Sequence, residues 1–185
     1  ALAHCIEAFS SPFYHPMAEG TAVEGLRLVK ENIQEVYHNG SNIEARAHML
    51  VASMMGAAAF QKGLGAIHSI THPVNSLYHT HHGTTNGTVM PFVLNFNRSV
   101  IEKKFDRLAK FLNISNGFEG VVNWIIELKK EMEIPETLKE MGVKKGDEVK
   151  LAPLAQEDPS TGGNPLEMSE DKFQELILNC IEGNY

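Results

Sequence analysis

The sequence predicts an all-α helical bundle, and three observations carry that expectation. Apolar residues recur every three or four positions in one segment after another, as in Val23, Leu26, Val29, Ile33 and Val36. No stretch alternates apolar and polar residues convincingly over the length of a strand. Stop and start signals such as Asn39-Gly40 and Ser169 fall between the periodic stretches. A chain of 185 residues with 43% hydrophobic content can bury a core of this kind. About seven to nine helices are expected, with no internal repeat or low-complexity tract.

Ala1 to Phe9 has helix-forming composition, and Ser10-Ser11-Pro12, with Pro16 beyond, interrupts it. This first segment opens in mid-helix, without a cap or an initiator methionine, as expected of a chain cut from something longer. The run containing Val23 to Val36 stops at Asn39-Gly40. Ser41-Asn42-Ile43-Glu44 then fits a capping box, so the next helix begins there and reaches about Lys62. Its apolar part, Met49 to Phe60, is shorter than the roughly 20 residues of a membrane span. With its small residues Ala52, Ser53, Gly56, Ala57 and Ala58 it is expected to be the central, buried helix.

Thr84 to Phe96 is apolar around Pro91 and reads as a kinked or broken helix. Asn97 is expected to cap a separate run in which Ile101, Phe105, Leu108 and Leu112 face inward, with Lys103, Lys104 and Arg107 on a solvated face. Val121, Val122, Ile125, Leu128 and Met132 repeat the pattern around Trp124, and Pro135 opens a short helix ending near Gly142. From Lys144 to Pro165 the periodicity fades into an expected turn-rich loop. Its Gly162-Gly163 lacks the Gly-Lys-Ser/Thr of a phosphate loop. Ser169 caps a last helix with Phe173, Leu176, Ile177, Cys180 and Ile181 inward.

Sixteen basic residues against 23 acidic ones give a net charge of −7, which disfavours nucleic acid and an anionic membrane surface as partners. The two cysteines, Cys5 and Cys180, have no metal or redox spacing, and no signal peptide is visible. A reducing, cytoplasmic setting is the simpler reading.

Five of the nine histidines, His68, His72, His79, His81 and His82, fall between Gly65 and Gly83. Neutral imidazole is the commonest metal ligand, so a metal site is the first candidate. If the run from Leu64 is helical, His68 and His72 lie one turn apart on one face, where both rings reach one pocket. Pro73 then disturbs the helix, and His82 folds back after a polar turn. The alternatives at this point are a solvated histidine-rich tract or histidines satisfied within the core, since no HExxH or paired CxxC pattern is present.

Three motifs together carry a family resemblance: A-L-A-H-C-I-E-A from Ala1, G-L-G-A-I-H-S-I-T-H-P from Gly63, and H-H-G ending at Gly83, with D-P-S-T-G-G-N-P from Asp158 following later. The chain resembles, over nearly its whole length, the C-terminal half of the iron-containing (group III) alcohol dehydrogenase family. A lyase of the related dehydroquinate synthase type is a weaker reading, because that family does not share the three-histidine arrangement. The resemblance implies that residues 1–185 are the all-helical metal-binding catalytic domain of a two-domain protein. Its N-terminal nucleotide-binding domain lies outside the chain. It implies His4, His68 and His82 as metal ligands, with a fourth, an aspartate, in the position before Ala1. It implies that His72 is a non-ligand histidine beside substrate and nicotinamide, associated with proton relay. The implied cofactors are Fe(II) or Zn(II), and NAD or NADP in the intact enzyme. The implied partners are a small alcohol or aldehyde, the nucleotide domain and further copies of the protein. The competing reading is a standalone helical metal-binding or interaction module without catalysis.

Overall fold

Eight α-helices and no strand make up the chain, all 185 residues of which the computed structural model describes. They are α1 (Leu2–Ser10), α2 (Pro16–His38), α3 (Ile43–Ala59), α4 (Ala66–Tyr78), α5 (His82–Phe111), α6 (Gly117–Glu131), α7 (Glu148–Glu157) and α8 (Glu170–Glu182). Short 3-10 turns occupy Phe60–Lys62 and Pro159–Gly163. The expected all-α bundle is what forms. No single helix is long and apolar enough to cross a membrane.

The core is built on α5, which packs against α4, α6 and α8, while α7 packs on α4 and α8. Its 30 residues would run about 45 Å at the usual rise per residue. The expected break before Asn97 does not occur: the helix continues through both Pro91 and Asn97, which are buried within it. Asn97 is no cap, because its side chain is consumed by a reciprocal amide pair with Asn164 at 2.9 and 3.0 Å. Phe9, Phe105, Phe118 and Phe173 are fully buried, with Ile6, Leu26, Ile67 and Leu108 among them. Each such side chain contributes about 1.5–3 kcal/mol on burial.

Three other expectations are corrected. Residues 135–142 form turns and not a helix. The region after Lys144, expected as loop, contains α7, which buries only Leu151, Ala152 and Ala155 and so is too short to show a periodic stripe. The cap of α3 is Asn42, whose side chain accepts the Ala45 N–H at 3.0 Å, and not Ser41, which instead donates to the Asn39 side chain.

The largest correction concerns α3 itself. It is peripheral, burying only Ala45, Ala52, Gly56 and Ala59 against α1 and α2. Ile43, Leu50 and Met54 are each 69–75% exposed. Its small residues do act as expected, drawing helices together around α1. A Cβ at Gly56 would lie 3.0 Å from the His4 Cβ, and one at Gly25 only 2.7 Å from Cys5 Sγ. The end of α1 is held by the buried Lys62 ammonium, which donates to the carbonyls of Ala8, Phe9 and Ser11 at 3.0, 3.3 and 2.7 Å. Unpaired carbonyls at a buried helix end are costly, and this lysine satisfies them. The face of α1 that carries His4 is thereby fixed.

Candidate metal centre

Three helices deliver the histidines. His4 projects from the first turn of α1, His68 and His72 from successive turns of α4, and His82 is the first residue of α5. Pro73 lies within α4 without ending it, so His68 and His72 keep the one-turn spacing of a continuous helix. The helix stops at His79, which adopts left-handed backbone at φ +53° and starts the turn into α5. Asn75 ties that turn together, pairing with the Thr80 hydroxyl at 2.8 Å and with His82 Nδ1 at 3.2 Å.

The rings of His4 and His68 stack with centroids 5.0 Å apart, and those of His68 and His82 lie 5.2 Å apart. His72 stands 5.7 Å from His68 and 5.6 Å from His82. His68 is 2% exposed, whereas His72 and His82 face the open side. Burial above all, then the neighbouring His68 and His82, pull the His4 imidazole down to about 4. Burial and then His68 and His72 lower His82 as well. Neutral rings result, and neutral imidazole is the form that ligates a metal.

The carboxylates around the rings divide them into two kinds. His68 Nδ1 pairs with Glu7 Oε2 at 2.5 Å, deep in the core. His72 Nδ1 pairs with Asp158 Oδ2 at 2.7 Å, at the open surface. Asp158 Oδ1 also accepts the Ser160 N–H at 2.8 Å. Burial pushes the Asp158 carboxyl up, but the Ser160 N–H and the His72 ring outweigh it and hold it below the usual range.

With the Nδ1 atoms engaged, Nε2 of His68 and of His82 point at one shared atom, Asn86 Nδ2, at 3.4 and 3.1 Å. Asn86 Nδ2 can donate to the bare Nε2 of His68, whereas on His82 it competes with Asn75 Nδ2 for the ring's one lone pair, so the two rings meet where an amide is a poorer partner than a cation would be. Asn86 Oδ1 is left buried without a partner beside them. No three His, Cys, Asp or Glu side chains form a ready coordination sphere here. The donor chemistry nonetheless suits a divalent transition ion: several neutral imidazoles, two of them with Nε2 turned to a common point, fit Fe(II) or Zn(II). An apolar cavity of about 280 Å³ opens beside the cluster, lined by His4, His82, Met90, Leu128, Met132 and Ile134 among others.

The remaining histidines do other work. His15 and His81 accept helix N-terminal N–H groups at Ala18 and Thr84, capping α2 and α5. His38 meets Glu131 on the surface and His48 lies 4.0 Å from Glu44. Sequence reasoning missed Glu7, Asp158 and Asn86. Glu7 carried a signal of sorts, one turn after His4 on an otherwise apolar helix, and Asp158 opened a stretch read as a turn-rich loop and as part of the family resemblance, with no role given to its side chain.

A sequence model described as the Fe-containing alcohol dehydrogenase family, C-terminal, matches residues 1–181. The chain belongs to this family. It is 34% identical over 186 residues to the 4-hydroxybutyrate dehydrogenase of Cupriavidus necator, covering 96% of the chain and 48% of that protein. It is 30% identical to the 1,3-propanediol dehydrogenase of Citrobacter freundii, covering 98% and 49% respectively. A crystal structure of 1,3-propanediol oxidoreductase superposes with a TM-score of 0.92 at 28% identity, over 97% of the chain and 49% of that protein. The chain therefore spans about half the length of the curated relatives it matches. Within the family, the match falls on the C-terminal part.

Proposed function

We propose that the intact protein is a metal- and NAD(P)-dependent alcohol dehydrogenase, interconverting small alcohols with aldehydes or ketones. The observation that carries this reading is the convergence of His68 and His82 Nε2 on one point beside His4, in a chain of this family. His4, His68 and His82 would hold Fe(II) or Zn(II), with a carboxylate from residues preceding Ala1 completing the set. When bound, such an ion supplies Lewis acidity that lowers the pKa of a substrate hydroxyl.

The chain's own residues orient the rest. Asp158 holds His72 by Nδ1, which leaves Nε2 at the open face to pass a proton to or from the substrate oxygen. The apolar cavity beside His4 and His82 supports a short, largely hydrocarbon substrate and keeps water from the reacting atoms. The names of relatives, including butanol and methanol dehydrogenases, agree with that class. The hydride acceptor must be a dinucleotide held by residues outside this chain, in an N-terminal nucleotide-binding domain, because no glycine-rich dinucleotide turn lies within it. Exposure of His72 and His82 on one side supports a partner domain there. Homo-oligomerisation belongs to this reading, with a closed two-fold dimer the commonest form such an assembly takes. The two free, buried cysteines support a reducing, cytoplasmic setting.

The test compares the intact protein, its His68→Ala variant and the 185-residue chain alone, each with added Fe(II) or Zn(II) and NAD or NADP. Oxidation of short alcohols is expected only from the intact protein, and His68→Ala should lose metal and turnover together. Turnover by the chain alone, or undiminished turnover in metal-free His68→Ala, would overturn the reading.

A further inference from the structure

The helix that presents His68 has no cap of its own. Its N-cap is Gly65, which has no side chain to accept the first N–H groups. They are accepted instead by residues distant in sequence: Ala66 N–H by Asn164 Oδ1 at 3.2 Å and Ile67 N–H by Glu7 Oε1 at 2.8 Å. The fit leaves no room for a larger residue, since a Cβ at position 65 would stand 2.9 Å from Asn164 Oδ1 and 3.3 Å from Glu7 Oε1. Glu7 is 5% exposed, and its second oxygen is the one on His68 Nδ1.

We propose that Glu7 is a positioning residue for the metal, its carboxylate fixing His68 in the tautomer and orientation that present a bare Nε2 to the cluster. This rests on the metal reading above. Oε1 already accepts a backbone N–H at a helix N-terminus, a place that favours a negative carboxylate. Oε2 can then only accept, so His68 Nδ1 carries the proton and donates it. A neutral imidazole with N–H at Nδ1 has its lone pair on Nε2, and Nε2 is the atom that shares Asn86 Nδ2 with His82. Because one rigid carboxylate bridges α1 and the first turn of α4, it also sets the distance between His4 and His68, which stack at 5.0 Å.

Asn164 provides the control. It caps the same helix turn and pairs with Asn97, yet touches no histidine. A merely structural role for Glu7 would make the two residues equivalent.

The experiment uses the full-length protein and measures affinity for Zn(II) and Co(II) by competition with a chromogenic chelator, with the visible spectrum of the Co(II) form as a second readout. In Glu7→Gln, an amide whose oxygen accepts Ile67 N–H turns its NH₂ to His68 Nδ1 and forces the proton onto Nε2. Affinity should then fall about 10–100-fold, the usual cost of losing a ligand's orienting partner, and the Co(II) bands should shift. Asn164→Ala should lower melting temperature but change affinity less than about threefold, a small effect beside the loss expected at Glu7. Glu7→Asp, which retains a carboxylate, should recover part of the affinity. Nitrogen-15 shifts of histidine in the metal-free wild type give a check that needs no variant, with His68 expected as the Nδ1–H tautomer. An Nε2–H tautomer overturns the proposal. So does Glu7→Gln with wild-type affinity, or equal affinity loss in Asn164→Ala. Failure of the wild type to bind metal overturns the metal reading and this inference with it, whereas tight wild-type binding with an indifferent Glu7→Gln overturns this inference alone.

Discussion

At the scale of single residues, the site separates two histidines that the sequence places one turn apart. His68 is buried and backed by Glu7, and His72 is exposed and backed by Asp158. The separation has a measurable consequence in the intact protein. His72→Ala should leave metal content close to wild type while lowering turnover about 10²- to 10⁴-fold, the range for loss of a general acid–base group. Asp158→Asn should lower turnover by less, because the ring remains but loses the carboxylate that orients it. Metal analysis beside steady-state kinetics checks both, and metal loss in His72→Ala at unchanged melting temperature would make His72 a ligand. The spacing of His68 and His72 was legible in the sequence because a helix converts four residues into one turn. Their different partners were not, because Glu7 and Asp158 lie 61 and 86 residues away from the rings they touch.

At the scale of elements, helix ends were harder to read than helix faces. The apolar stripes of α2, α6 and α8 follow directly from residue spacing, whereas caps depend on which of several polar neighbours wins a backbone N–H. At α3, Ser41 and Asn42 both qualify by type, and the structure awards the Ala45 N–H to Asn42. Asn42→Ala should therefore cost about 1 kcal/mol, or about 2–4 °C in melting temperature for a domain of this size. Ser41→Ala should move it much less, and equal shifts would return the cap to Ser41. The break expected at Asn97 failed for a related reason: an asparagine can cap, but here a second asparagine, Asn164, takes its side chain.

The start of α7 makes a pH-dependent prediction. Asp147 has its carboxyl lowered to about 2, by the adjacent Tyr78 hydroxyl first and then by the Lys144 N–H and Lys150. The Lys144 N–H donates to Asp147 Oδ2 at 2.7 Å. A folded-state value below the unfolded one means that this stabilisation is present above about pH 4 and lost as pH falls towards 2. Acid unfolding of Asp147→Asn should be shallower across that window than that of the wild type. Parallel curves would show that the interaction carries no stability.

At the scale of the molecule, the fold class was legible because helical periodicity is a local signal repeated many times, and no strand competes with it. The position of α3 was not. Its apolar composition states that the helix prefers to be covered, but composition does not say by what, and nothing within these 185 residues covers Leu50, Val51 and Met54. The same limit applies to the site. Half of each matched relative lies beyond the chain, and two of the four clustered histidines face the side left open.

The central claim is that His4, His68 and His82 ligate one ion. X-ray absorption on the intact protein loaded with one equivalent of Zn(II) addresses it most directly. Three imidazoles should appear in a nitrogen–oxygen shell at about 2.0–2.2 Å, with no sulfur, and His4→Ala, His68→Ala and His82→Ala should each remove one imidazole or the metal itself. A shell with sulfur, or one whose imidazole count is unchanged in all three variants, would contradict the account.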